Sequence, residues 1–475
     1  MRRDWDAIWL IARREFRDQF RDWRILFPLI ILVTAFPFVA DEMTRQAVSF
    51  MNRFGGQLIL DRLVPFAVLV IGFFPLSFTL LVALESFVGE KERGTIEPLL
   101  CSPLEDTHMY LGKLLVGVTT PLAFSYGSIA IYLMLISRRA VAMPSPYLLS
   151  LILFLTFAHA VLMVSSAIVI SVQSTSVRAA NLLASFVVVP VAFLLQGETT
   201  LIFWGNEDVL WLAILAVTIL TGLIIRLGLS HFRREYMLGR EIDTLNLRWM
   251  WKIFRSTFIG DAKSLGQWYR IEIPRTLRKL RTALILVSAI ALIAGFASYL
   301  WVVVRVPQFV DLTPERVEVI QKYVARNLPN ISSLGEELPA HVLFLHNIRA
   351  SLAIFTLGFV SFATLGLCLY LFNIVLVGGV LGIAKLAGFS PLLAFATGIL
   401  PHGVFELTAI ILSTAAMFHL GVVLVTPQTE KSLGEVLITS LAVWARIFLG
   451  LTVPLLAIAA VVEIYITPQI LLRYF

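Results

Sequence analysis

Apolar runs longer than 16 residues recur along the whole chain, and they restrict its fold more than any other feature. In hydrocarbon every backbone amide and carbonyl must be satisfied within the protein, so only helices and closed barrels cross a bilayer. A helix needs about 20 apolar residues for the crossing. A barrel would show alternating segments of about ten residues, and the sequence has none. Only 15% of residues are charged, against about 25% in a soluble domain. The expected fold is an all-α, polytopic helical membrane protein. Residues 1–24 are charged throughout, so no cleavable signal is expected there. Cys101 and Cys368 lie far apart, outside any metal-ligand spacing, and read as small packing residues.

In residues 1–24, Trp5, Ile8, Trp9, Ala12, Phe16, Phe20 and Trp23 recur at three- and four-residue spacing among seven arginines and five acids. That pattern predicts an amphipathic helix lying in the membrane interface. Spans are expected at about 25–40, 63–84, 111–136, 148–170, 182–195 and 209–229. Segments 1–24 and 231–281 carry seven and twelve basic residues, and the loop 197–208 carries none. Six crossings put both basic segments on one side, which the positive-inside rule makes cytoplasmic. Arg138 and Arg139 then fall on the wrong side, as do three basic residues in 41–62.

Residues 231–281 hold twelve basic against five acidic residues, a balance of +7. Their mixture of Trp, Phe and Tyr with Lys and Arg suits an interfacial linker on anionic lipid better than a nucleic-acid surface. This linker divides the chain. A second membrane domain is expected over 282–475. It opens with a span at 282–304, followed by a polar extracytoplasmic segment, 305–345. In that segment Thr313-Pro314-Glu315 has the makings of a helix start. Apolar runs at 350–389, 391–425 and 436–466 follow, rich in Gly and Ala.

One short loop carries most of the functional information. Residues 90–105, "EKERGTIEPLLCSPLE", place four glutamates between two spans. Glu90, Lys91, Glu92 and Arg93 offer charges to a partner, Gly94-Thr95 permits a bend, and Glu97 sits in the first turn that follows. Leu99, Leu100 and Pro103 add an apolar patch, and Lys113 in "LGKLL" is placed to reach the interface. With Ser102 and Gly112, this stretch resembles the signature loop of type-2 ABC exporter permeases. The resemblance covers about residues 1–230. It implies that the N-terminal helix and this loop rest on a separate ATPase subunit, with Glu90, Glu92, Arg93, Gly94, Thr95, Glu97 and Pro103 as coupling residues. No G-x-x-x-x-G-K-[ST] phosphate loop occurs in the chain. ATP and magnesium are therefore expected in the partner, with no cofactor or metal held here.

The second half carries "HNIRASLAIFTLGFVSFATLG", "FNIVLVGGVLG" and "ILPHGVFELTAIIL". These resemble the stage II sporulation protein M family over about 282–470, through Asn347, Arg349, Asn373, Pro401, His402, Gly403 and Glu406. His346 and Ile374 depart from the family's usual asparagine and glycine. Pro401-His402-Gly403 reads as a helix break, and Glu406 lies one turn beyond His402. Arg446 stands in a long apolar run and is the economical partner for Glu406, so His402, Glu406 and Arg446 are expected in one buried polar cluster.

The combined expectation is a six-span permease bundle (25–230) behind an interfacial helix (1–24), fused to a bundle of four to six helices. It is a non-enzymatic exporter subunit of the inner membrane, N-terminus cytoplasmic, driven by an ATPase and paired with a second copy or another permease. A non-transporting scaffold for envelope remodelling is the alternative. A metal-dependent membrane hydrolase is more distant, since no H-E-x-x-H or G-x-S-x-G string occurs.

Overall fold

The computed structural model describes residues 2–21, 23–54, 57–97, 101–139, 143–174, 177–204, 210–231, 247–309, 313–315, 317–319, 321–322, 339–426 and 433–474. It is all-α among these residues. The chain divides into two compact units, Met1–Leu245 with Val425–Pro427, and Asn246–Leu424 with Gln428–Phe475.

Unit 1 contains α1 (Arg2–Arg21), α2 (Trp23–Phe54), α3 (Gln57–Glu92), α4 (Asp106–Ser137), α5 (Pro146–Gln173), α6 (Val177–Trp204) and α7 (Leu210–His231). α2, α4, α5 and α7 each contain a stretch long and apolar enough to cross a bilayer, and α3 and α6 hold shorter apolar stretches, 62–77 and 190–203. α3 is central and packs on α2, α4, α5 and α6. Prolines inside these helices (Pro28, Pro37, Pro65, Pro75, Pro121, Pro190) do not end them, as is common where neighbouring helices relieve the freed backbone groups.

Two expectations change here. α6 runs on to Trp204, so residues 197–204, expected as a loop, are helical and Glu198 is buried. Residues 205–208 lie outside the described residues. Arg139, one of the misplaced basic residues, donates from Nε to Asp41 Oδ1 at 2.7 Å and forms a second bond through its terminal nitrogen. A bidentate pair of this kind neutralises the arginine, so it counts little in the charge bias.

Unit 2 begins with α8 (Leu247–Ile259). α9 then runs from Leu265–Gln267 through a π turn, Trp268–Glu272, to Ile273–Lys279. Next come α10 (Arg281–Phe309), α11 (Ala340–Val360), α12 (Thr364–Leu386), α13 (Pro391–Leu424), α14 (Leu433–Ile447 continuing to Tyr465) and α15 (Thr467–Tyr474). Among the described residues, α10 to α14 are the five bilayer-length helices of this unit. The run 350–389 is divided at Ser361–Ala363, where Phe362 and Ala363 take φ of 48° and 77°. Phe355, Trp444 and Phe448 stack in the core, the first two with centroids 3.5 Å apart. Of the segment 305–345, much lies outside the described residues. Its described part is helical after Thr313, and Gln321 donates to the Ala387 carbonyl at the end of α12 at 3.0 Å.

The expected break at Pro401 is instead a π turn, Phe395–Ile399, inside a continuous helix. The same device occurs three times among the described residues: π turns end at Glu272, Ile399 and Thr452, and Pro274, Pro401 and Pro454 each follow two residues later. A proline cannot bond the carbonyl four residues back and its ring crowds that carbonyl; a wider turn makes room. At Pro454 the freed carbonyl belongs to Gly450, and it accepts the Tyr269 hydroxyl at 3.0 Å.

Candidate functional site: a braced helix junction in unit 1 and two polar clusters in unit 2

The N-terminal helix docks on protein as well as offering an aromatic face. Ile8, Ile11 and Ala12 are buried, whereas Trp5, Trp9, Phe20 and Trp23 are exposed. α1 runs beside the first turns of α4 with its contacts in order. Asp4 lies 3.7 Å from His108, Ile8 and Ile11 meet Gly112, Glu15 meets Lys113, and Gln19 accepts the Thr120 hydroxyl at 2.9 Å. Gly112 is required for this approach: a Cβ there would stand 2.8 Å from Ile11 Cβ and 3.2 Å from the Ile8 carbonyl.

Lys113 is the centre of the junction. Its side chain is 2% exposed, and its Nζ lies 3.0 Å from Glu15 and 3.3 Å from Glu90. The ammonium also sits 4.6 Å from the centroid of the Phe87 ring, a favourable cation–π placement. Lys113 was expected to reach outward to the interface and Glu90 to offer its charge to a partner; both point inward and bind each other. Burial pushes the Glu90 carboxyl above the ordinary carboxylate range, and Lys113 opposes that rise. Arg14 approaches the same carboxylate at 3.6 Å.

The next two charges brace other helices. Lys91 Nζ donates to the carbonyls of Val172 and Ser174 at the end of α5, the latter at 3.2 Å. Burial lowers its pKa. Glu92, exposed, accepts the first amide of α6, Val177 N, at 2.8 Å. Just before them, Ser171 of α5 enters the ladder of α3: its Oγ accepts from Phe87 N and Val88 N at 3.1 and 3.0 Å and donates to the Leu84 carbonyl at 2.6 Å. The end of α3 is thus tied to α1, α4, α5 and α6.

Beyond Glu92 the loop turns outward. Gly94 has φ +67° with open space around it, so its backbone conformation is what calls for glycine. Thr95 N bonds the Glu90 carbonyl at 2.9 Å, closing the helix end. Arg93, Thr95, Glu97 and Pro103 are exposed, while Ile96 is buried. Leu99 and Leu100 lie outside the described residues.

A second buried pair in unit 1 escaped the sequence reading. His159 of α5 and Glu198 of α6 are each 2% exposed, with Nε2 and Oε1 3.4 Å apart. His159 Nδ1 faces the Leu155 carbonyl at 3.0 Å. Neither Nε2 nor the two carboxyl oxygens of Glu198 have a hydrogen-bond partner among the described residues. Nothing local marks it, because the two residues are 39 positions apart and Glu198 resembles a loop residue.

In unit 2 the expected cluster separates into two. Arg446 pairs with Glu272, not Glu406. Its guanidinium donates to Glu272 Oε2 at 3.1 Å, to Thr276 at 2.8 Å, to the Phe258 carbonyl at 3.0 Å and to the Thr257 carbonyl. The first part of α14 packs against α8, so Arg446 meets α8 and α9, in the segment expected to be an interfacial linker. That segment's described part belongs to unit 2, although Leu247, Trp251 and Leu265 remain exposed; residues 232–246 lie outside the described residues.

His402 and Glu406 do share a face of α13, and they are joined by Glu463 of α14, which the sequence reading omitted. Donor atoms of the three lie within 4.8 Å of one another. His402 Nδ1 lies 3.1 Å from the Thr467 hydroxyl. Of the motif residues, Asn347 is buried with no hydrogen-bond partner for its Nδ2 among the described residues, Arg349 is exposed, and Asn373 Nδ2 donates to the Leu369 carbonyl at 2.8 Å. Gly403 is buried within α13, four residues after the π turn.

Together the fold and the junction define a multi-pass helical membrane protein in two units, the first gathering an amphipathic helix and a loop onto one end of its bundle. Residues 9–204 match the family described as ABC-2 family transporter protein, and residues 280–468 match stage II sporulation protein M; the chain is a fusion of these two families. Comparison with curated proteins and comparison with solved structures each give no match.

Proposed function

We propose that the chain is the membrane subunit of an ATP-binding cassette exporter, driven by a separate ATPase that docks on α1 and on the exposed part of the loop after α3. The braced junction around Lys113 carries this reading. A push on residues 92–97 is delivered to α3, and through Lys113, Ser171, Lys91 and Glu92 to four further helices. Bistable packed elements of this kind convert a local displacement into rearrangement of spans. ABC-2 permeases work with such an ATPase, and the match over 9–204 supports the assignment. In this reading the N-terminus is cytoplasmic, the membrane is the inner membrane, the exposed aromatic face of α1 lies on anionic lipid, and a second permease or second copy completes the pathway.

The side chains that touch the ATPase are then the outward ones, Arg93, Thr95, Glu97 and Pro103, with Glu92 at the edge. The test is charge reversal at Arg93 and Glu97 in the chain purified together with a co-expressed partner ATPase. Arg93→Glu with Glu97→Lys is expected to abolish stimulation of ATP hydrolysis while the protein still inserts. Full stimulation by that variant would refute the docking surface. A chain that recruits no ATPase would favour the scaffold reading.

A further inference from the structure

We propose that His402, Glu406 and Glu463 form a binding site for a zinc-class divalent cation in unit 2, independent of the transport reading. His402 and Glu406 are four residues apart on α13, and Glu463 approaches from α14. All three side chains are half-buried, and the two carboxylates converge from different bilayer-length helices. Among the described residues neither has an ion pair with Lys or Arg; the one arginine deep in the same run, Arg446, is taken by Glu272. His346 of α11 is near enough to Glu406 for their charges to interact.

The imidazole is arranged as a ligand. The Thr467 hydroxyl donates to the Val462 carbonyl at 3.2 Å, so its lone pairs are left for His402 Nδ1 at 3.1 Å. That hydroxyl therefore accepts the Nδ1 proton. The tautomer is fixed, and the Nε2 lone pair is free for an ion. Metal-bound histidines are oriented by such an outer partner. α15, which carries Thr467, packs on the π turn of α13, so the fold supplies the orienting group from a separate element.

The donor set selects the metal. One imidazole with two carboxylates suits zinc, cobalt, manganese or iron, whereas magnesium and calcium take oxygen alone. A tetrahedral zinc site with bonds of about 2.0–2.2 Å spaces its ligand atoms about 3.3 Å apart. Closing from 4.8 Å or less is a movement of about 1.5 Å, within reach of the glutamate torsions. Three protein ligands leave a fourth position for water or for His346.

The full chain, purified in detergent and stripped with EDTA, would be titrated with Zn²⁺ alone and with Co²⁺ alone. About one ion per chain is expected, with the visible d–d absorption of tetrahedral cobalt. His402→Ala and Glu463→Gln should each abolish that spectrum. Thr467→Val keeps all three ligands and should weaken zinc binding about 10–100-fold, a change that a purely structural threonine would not produce. Wild-type protein that takes up neither ion at micromolar concentration would overturn the site. Unaltered cobalt spectra in His402→Ala and Glu463→Gln would overturn it as well.

Discussion

Replacing Lys113 by methionine keeps the length of the side chain and removes the charge that Glu15 and Glu90 share. In the wild type two carboxylates, 16% and 15% exposed, lie at 3.0 and 3.3 Å from an ammonium that is 2% exposed. Removing one partner of a buried pair costs about 3–5 kcal/mol, because the remaining charge is stranded. Both glutamates have some access to water, so the lower end, about 3 kcal/mol, applies here. Much of that loss falls on the docking of α1, which Ile8, Ile11 and Gln19 continue to hold. The assay is thiol labelling of Ile11→Cys, at a position 5% exposed against α4, in a background where exposed Cys101 and Cys368 are serine. A 3 kcal/mol loss is about 160-fold in the opening equilibrium, and labelling should accelerate by that order. Glu15→Gln and Glu90→Gln added to Lys113→Met strand no charge, and labelling should return to within about tenfold of the background. An acceleration below about fivefold (~1 kcal/mol), or a triple variant as fast as the single, would refute the ion pairs as the brace.

Gly94→Ala should lower the thermal stability of the detergent-solubilised protein by about 1–2 kcal/mol, the cost of a left-handed residue. Gly94→Asn should cost less, and an alanine variant as stable as wild type would remove the backbone argument. Because Arg446 and Glu406 serve different clusters, the destabilisation by Arg446→Gln and by Glu406→Gln should add to within about 0.5 kcal/mol; a strong coupling would return them to one cluster. Arg446→Met should open α8 and α9 to limited proteolysis, and Glu272→Gln in the same chain should restore part of the protection, since Glu272 is then no longer left charged and buried. A cysteine at Leu265, 75% exposed, should react only with a reagent supplied from the cytoplasmic side; labelling from outside would invert the proposed topology.

The sequence by itself determined the properties that depend on neighbours a few residues away. Helix against strand, the bilayer-length runs, the amphipathic face of residues 1–24 and the Glu-rich loop with its Gly-Lys sequel are all local patterns, because helical periodicity and span length are set within 20 or so residues. The same holds for the two families, carried by motifs such as Pro401-His402-Gly403 and Glu92 to Lys113. Even the π turns had a local mark in their trailing prolines, which read as a break because the pattern alone does not say whether a wider turn relieves the ring. What only the tertiary structure decided is which charge faces which. Glu90 turns inward because Lys113, 23 positions later, waits between α1 and α3. Arg446 binds Glu272 across 174 positions because the first part of α14 lies against α8. Glu463 completes the cluster of His402 and Glu406 from another helix. In a low-dielectric interior every charge needs a partner, but spacing along the chain carries no information about partners brought together only when helices pack.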